Sequence, residues 1–292
     1  MTIKIITDSA CDILESDQQK FDIEIMPVYV VENETTYRDG IDISSEVVCD
    51  NMRKGVRYKT SQIPYGDFYK RFEELISANQ PFIYLAFSSG LSGTYQAAAL
   101  AERDLSEKYP EAIFKVVDTK AVCYGLGHIA YGAAQAAAKG CSMDELMKWI
   151  NYYIDHVKHV FTVTDLQYLY RGGRLNKGTA IIGNMLNINP LLEVSQSGEL
   201  QQIDKVRGEK KLIKKMVDYL ETNGDQINQQ TIGISHADNL ELVELFVKTA
   251  GKRFATDRFK IVPLGSTVLT HSGPGTLAVF FFDEWKEAFQ FE

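Results

Sequence analysis

Residues 81 to 99 read P-F-I-Y-L-A-F-S-S-G-L-S-G-T-Y-Q-A-A-A. An apolar run leads into a turn of serines and glycines, and an alanine-rich run follows, which is the order strand, turn, helix. Comparable apolar runs stand at 3–7, 25–31 and 113–117, with helical patterns at 65–76 and 95–105. Strands alternating with helices predict βαβ units and a parallel sheet. Ligands of such sheets sit at the carboxyl ends of the strands. The turns T-D-S (7–9), S-S-G-L-S-G-T (88–94) and D-T-K (118–120) all lie on that edge.

The turn at 88–94 is suited to an anion. The first N–H groups of a helix lack intrahelical partners and carry the positive end of its dipole, and small residues let a ligand come close. Two familiar uses fail. Thr94 and Tyr95 follow Gly93 where a nucleotide-binding loop needs Lys-Ser/Thr, and Thr94 stands where a serine-hydrolase elbow needs its second glycine. The pattern points to a smaller anion.

A helical stretch from 142 to 155 ends at H-V-K-H-V-F-T-V, which begins a new strand and places a domain boundary near residue 156. Beyond it, strands are expected near 160–164, 190–194, 201–206, 231–235, 260–264 and 277–282, with helices near 209–222 and 239–251. The fold class is therefore α/β with two lobes. Residues 1–156 form a parallel-sheet domain, residues 157–292 a mixed-sheet α/β sandwich, and a ligand lies between them.

Composition narrows the function. A formal net charge of -8 over 292 residues excludes a general nucleic-acid binder, which needs a surplus of Lys and Arg. Cys11, Cys49, Cys123 and Cys141 show no C-x-x-C spacing, which favours reduced thiols in a cytoplasm. No apolar run reaches the ~18 residues of a membrane span. The histidines do not form H-E-x-x-H or another metal spacing, so no metal is expected.

Several polar motifs carry two readings each. His271 precedes Gly-Pro-Gly, in a hairpin turn that either caps a strand or fixes one imidazole against an anion. His128, His156, His159 and His236 read as core or surface residues. R-G-G-R, 171–174, is a helix stop with solvated arginines, or a pair of independently aimed guanidinium forks. K-V-R-G-E-K-K, 205–211, is a solvated basic face or a dock for a phosphate or an acidic partner. In T-S-Q-I-P, 60–64, Thr60 and Ser61 steady the turn before a helix, or donate to the same anion as the loop. Asp8, Asp118 and Asp165 each follow a strand-like run and read as turn or N-cap residues.

Taken together, I-I-T-D-S, T-S-Q, S-S-G-L-S-G-T, V-V-D-T-K, R-G-G-R-L, K-V-R-G and H-S-G-P-G follow an order and spacing that resemble the DegV family of bacterial fatty-acid-binding proteins over nearly the whole chain. The resemblance implies one bound long-chain fatty acid. Its carboxylate is presented to a separate fatty acid kinase, which makes an acyl phosphate for phospholipid synthesis. The chain itself would be a carrier with no active site and no cofactor, a monomer with at most transient membrane contact. Carried over residue by residue, the carboxylate is surrounded by Thr60, Ser92, the Gly93 N–H and His271, with Ser61 a lesser contributor. Arg171, Arg174 and Arg207 match positions near the ligand exit and the kinase-facing surface. Ile63 stands between Gln62 and the proline that more often follows it directly.

A carboxylate also answers the missing lysine, since hydroxyls, one N–H and an imidazole suffice for it. A sixteen-carbon tail contributes on the order of 12 kcal/mol gross at ~0.8 kcal/mol per buried CH₂, against ~1.5–3 kcal/mol for each charge-assisted hydrogen bond. The tail supplies affinity and the head supplies position. Residues 128–138 or 180–188 are candidate tunnel linings, although close helix packing is the favoured reading of the former. The competing function is a stand-alone phosphotransferase or hydrolase using the Ser-rich loop and His271.

Overall fold

A computed structural model describes residues 2–175 and 188–286. The chain runs through β1 (Lys4–Asp8), α1 (Glu15–Lys20), β2 (Glu24–Met26), β3 (Tyr29–Glu32), β4 (Thr35–Arg38), α2 (Ser45–Arg53), β5 (Lys59–Ser61), α3 (Tyr65–Ser77), β6 (Phe82–Ala86), α4 (Thr94–Lys108), β7 (Phe114–Asp118), α5 (Cys123–Ala138) and α6 (Met143–His156). It continues through β8 (Val157–Thr162), α7 (Gln167–Arg171), β9 (Ile188–Val194), β10 (Leu200–Arg207), α8 (Glu209–Asn223), β11 (Ile232–His236), α9 (Leu240–Phe254), β12 (Phe259–Pro263), α10 (Ser266–Ser272) and β13 (Leu277–Phe282).

Strands β2-β1-β6-β7 form a wholly parallel sheet, and β10-β9-β8-β13-β11-β12 form a mixed one in which β11 and β12 alone are parallel. The mixed α/β class read from the alternation is what the structure has. The expected strand at 25–31 is split. Pro27, with no N–H to give a ladder, ends β2, and β3 then joins a small antiparallel sheet, β4-β3-β5.

The central strands β6 and β13 are buried on both faces, which explains their unbroken apolar sequences. On β6, Phe82, Tyr84 and Ala86 pack with Phe68 and Phe72 of α3 and Ala98 and Ala101 of α4, whereas Ile83 and Leu85 face α5. On β13, Leu277, Val279 and Phe281 pack with α8 and α9, while Ala278, Phe280 and Phe282 turn inward to the cluster that contains α5. Helix α5 therefore lies between the sheets. Its small residues are close helix packing, and none of 128–138 lines the cavity described below. The other lining candidate, 180–188, falls outside the described residues except for Ile188.

Buried carboxylates tie the first half of the chain to the second. Asp12, held at φ 53°, accepts from the Gly265 N–H (2.9 Å) and the Ser235 hydroxyl (2.8 Å). Asp39 accepts from the Ser9 hydroxyl (3.0 Å) and from the N–H (3.1 Å) and hydroxyl (2.6 Å) of Thr267. These bonds hold the first turn of α10, which carries His271. Lys260 to Asp17 (2.6 Å) and Arg53 to Asp238 add ion pairs across the same seam.

Candidate functional site

Between the sheets lies a cavity of about 460 Å³, within the ~300–1,000 Å³ range of small-molecule sites. One part of its wall is polar, formed by Thr60, Ser61, Gln62, Ser92, Gly93 and Thr94 with Arg174 and His271. Most of the rest is apolar, including Phe87, Val122, Phe161, Leu169, Ala278 and Phe280.

The polar wall is assembled from distant pieces of chain. Gly93 sits ahead of α4, the Ser92 hydroxyl accepts from the Thr94 N–H (3.2 Å), and the two hydroxyls stand 2.9 Å apart. Thr60 and Ser61 are on β5, not in a turn, and the strand brings Gln62 so near Gly93 that a β-carbon there would overlap its amide oxygen. From the other side, the Ser88 hydroxyl donates to the Gly198 carbonyl (2.7 Å), and Gly90 lies against the same carbonyl, so the β9–β10 hairpin braces the loop.

His271 departs from the expectation. It lies in the last turn of α10 ahead of the Gly-Pro-Gly segment, not in a hairpin turn. Its Nε2 is 2.7 Å from the Thr60 hydroxyl, although the residues are 211 positions apart. Nδ1 is buried without a partner among the described residues. A buried orphan donor costs more than a buried orphan acceptor (about 1–3 kcal/mol for a stranded donor), so the economical tautomer carries its proton on Nε2 and donates to Thr60. The Thr60 hydroxyl is then free to donate onward into the cavity. Burial, with the Arg174 guanidinium as a lesser cause, pushes the His271 pKa down to about 3, so the ring is neutral.

The two arginines of R-G-G-R part company. Arg174 lines the cavity, donating to the carbonyls of Leu91 (2.9 Å) and Gly172 (2.6 Å), and burial lowers its pKa. Arg171 is exposed over the Tyr168 ring, and Arg207 is exposed at the end of β10; neither lines the cavity. The glycines serve different ends. Gly173 takes φ +71° to stop α7, whereas Gly172 has an ordinary φ and is required by space, since a β-carbon would overlap His271 Nδ1. Gly172→Ala should fold normally and push the imidazole off Thr60, read by a shift of the His271 ring signals in NMR.

Sequence reasoning did not single out Gln62 and Thr94 as site residues, although both lie inside motifs it quoted, T-S-Q and S-S-G-L-S-G-T. It also missed Lys120, which reaches the loop from the third turn, with Nζ 2.7 Å from the Ser89 hydroxyl and 2.5 Å from Asp118. The Asp118 carboxylate balances the lysine's charge: burial raises the Asp118 pKa, but the bonds from Lys120 and Ser89 outweigh it and hold that pKa low. Asp8, Asp118 and Asp165 do cap turns, accepting from the N–H groups of Ala10 (3.2 Å), Lys120 (3.3 Å) and Gln167 (2.8 Å), and Asp118 also accepts from the Ser89 N–H (3.1 Å) of the neighbouring loop. Among the described residues, no cluster of three or more His, Cys, Asp or Glu could hold a metal ion, and no helix is long and apolar enough to cross a membrane.

A parallel and a mixed sheet enclosing a largely apolar cavity, with hydroxyls, a helix N-terminus and a neutral imidazole in one part of its wall, define an α/β protein with an amphipathic internal cavity. Residues 2–284 match the family described as "Uncharacterised protein, DegV family", and the chain belongs to the DegV family. It is 38% identical over 285 residues to a DegV domain-containing protein of Clostridium perfringens, covering 97% of this chain and 98% of the relative. The fold superposes on a DegV lipid-binding protein of Thermotoga maritima (TM-score 0.83, 30% identity, 98% and 100% of the two chains). It superposes equally on DegV, a fatty-acid-binding protein of Bacillus subtilis (TM-score 0.82, 27% identity, 97% and 99%).

Proposed function

We propose that the chain binds one long-chain fatty acid in the cavity, between lobes that divide near residue 156. The carboxylate is held by the hydroxyls of Thr60 and Ser92 and the Gly93 N–H, with His271 orienting Thr60 and Ser61 at the rim. The observation that carries this reading is the joining of a carboxylate-sized set of donors to an apolar cavity of about 460 Å³. The fatty-acid-binding and lipid-binding descriptions of the relatives support it. Arg174 adds positive charge beside the carboxylate, and the exposed Arg171 and Arg207 are offered to a separate fatty acid kinase that phosphorylates the bound acid.

A carrier suits this site better than a hydrolase or phosphotransferase. The Ser92 hydroxyl is paired with Thr94 rather than with a base, and an imidazole with a pKa of about 3 is a weak proton acceptor near neutrality. Native mass spectrometry of protein purified from a bacterial host, followed by lipid extraction, should reveal a stoichiometric long-chain acid. Ser92→Ala and His271→Ala should keep the fold and lower acyl-phosphate formation with the kinase by about tenfold or more. Full activity in both variants would remove the site assignment, and turnover of ATP or an ester by the chain alone would favour the enzyme.

A further inference from the structure

His159 lies in the wall of the same cavity, on β8, and is only 4% exposed. Its Nε2 accepts a hydrogen bond from the Val122 N–H (3.2 Å). That bond needs a lone pair on Nε2, so a neutral ring carries its proton on Nδ1. Burial, with Lys158 as a minor cause, pushes the ring's pKa down to about 3 and keeps it neutral. The ring is also locked in place. Phe280 meets it edge to face, with centroids 5.4 Å apart at 90°, and Gly125 lies so close that a β-carbon there would overlap Nε2. Nδ1 makes no hydrogen bond to a described residue and, unlike Nδ1 of His271, is not fully enclosed.

We infer that His159 is a recognition point for the ligand's tail, its Nδ1–H donating to an oxygen borne along the acyl chain, so that hydroxy- or oxo-substituted fatty acids are the class it selects. The inference rests on the fatty-acid reading above and deepens it. A methylene cannot satisfy an N–H that a bound tail covers, and covering one unmet is costly, whereas a tail oxygen at the right carbon meets it inside an otherwise apolar wall. Because the ring cannot swing, the oxygen must lie at one place on the chain. Recognition is therefore positional.

The test compares stearic acid with a positional series of hydroxystearic acids, using delipidated full-length protein and displacement of a fluorescent fatty acid. One positional isomer should bind about tenfold more tightly than the others. His159→Met keeps a weak acceptor for Val122 but has no donor, and it should erase that preference, so that the positional isomers bind alike. Equal binding of all isomers, or a preference that survives His159→Met, overturns the inference while the fatty-acid reading stands. Failure of the native protein to bind any acid, stearate included, overturns both. Should the variant not fold, ¹⁵N–¹H spectra of the native imidazoles decide: the preferred hydroxy acid must shift the His159 Nδ1–H resonance relative to stearate, and an unmoved resonance counts against the idea.

Discussion

Ala278→Phe is expected to weaken binding of sixteen- and eighteen-carbon acids roughly a hundredfold while sparing much shorter ones. Ala278 is 6% exposed, sits on the central strand β13 beside Phe161 and Phe280, and lines the cavity. A benzyl group there fills space the tail would use. Each methylene kept out of apolar surroundings forfeits ~0.8 kcal/mol, so excluding four forfeits about 3 kcal/mol, roughly a hundredfold in affinity. The polar groups are untouched, so the loss should grow with chain length. Affinities for a series of saturated acids, native against variant, check this. A loss independent of length would mean that the substitution acts on the head group or on the fold, and that the tail lies elsewhere.

The second large effect concerns Asp12. Asp12→Ala strands the Gly265 N–H and the Ser235 hydroxyl in a buried seam and should cost about 3 kcal/mol of folding stability. Asp12→Asn keeps an oxygen and should be close to neutral at pH 7. The pH dependence gives a sharper test. Burial raises the carboxyl's pKa from 3.8 to about 7. A raised folded-state pKa means that the folded chain holds the extra proton between those values. Stability from this group is thus complete below about pH 4 and is lost as pH rises through 7, by an amount on the order of 4 kcal/mol. Asp8, raised by burial to about 6, has the same sign, and the buried His128, His159 and His271, depressed by burial, have the opposite one. The stability difference between native protein and Asp12→Asn cancels those other groups. Measured by urea unfolding from pH 4.5 to 8, the native protein should lose ground to the variant steadily as pH rises. A flat difference would show that the carboxyl is ionised in the fold throughout.

If Asp12 and Asp39 hold α10 as their bonds indicate, Asp12→Ala should also loosen His271, and stability and ligand affinity should fall together. The helix has seven residues, too few to be stable by itself, so its place depends on what grips its first turn.

Much of this protein is legible in the order of its residues. Strands buried on both faces are written as unbroken apolar runs, and loops that approach an anion are written as Ser and Gly, because both properties are local to the chain. The loop at 88–94, the β6 strand before it and the turn roles of Asp8, Asp118 and Asp165 follow from such patterns. Elements that are short or set by context left no such trace. Strand β5 has three residues, and α10 contains the β-branched Thr267, Val268 and Thr270, which by themselves favour strand.

What only the tertiary structure decided is which local features meet. Thr60 reaches His271 across 211 residues, Asp12 reaches Gly265 across 253, and Gly172 is glycine because an imidazole from another helix lies against it. His159 looks like any core histidine until Val122 takes one nitrogen and the cavity is found beside the ring. A sequence reports how each segment partitions between water and an interior. The packing of two sheets around α5 determines which buried polar groups find partners in the chain and which are left facing the cavity.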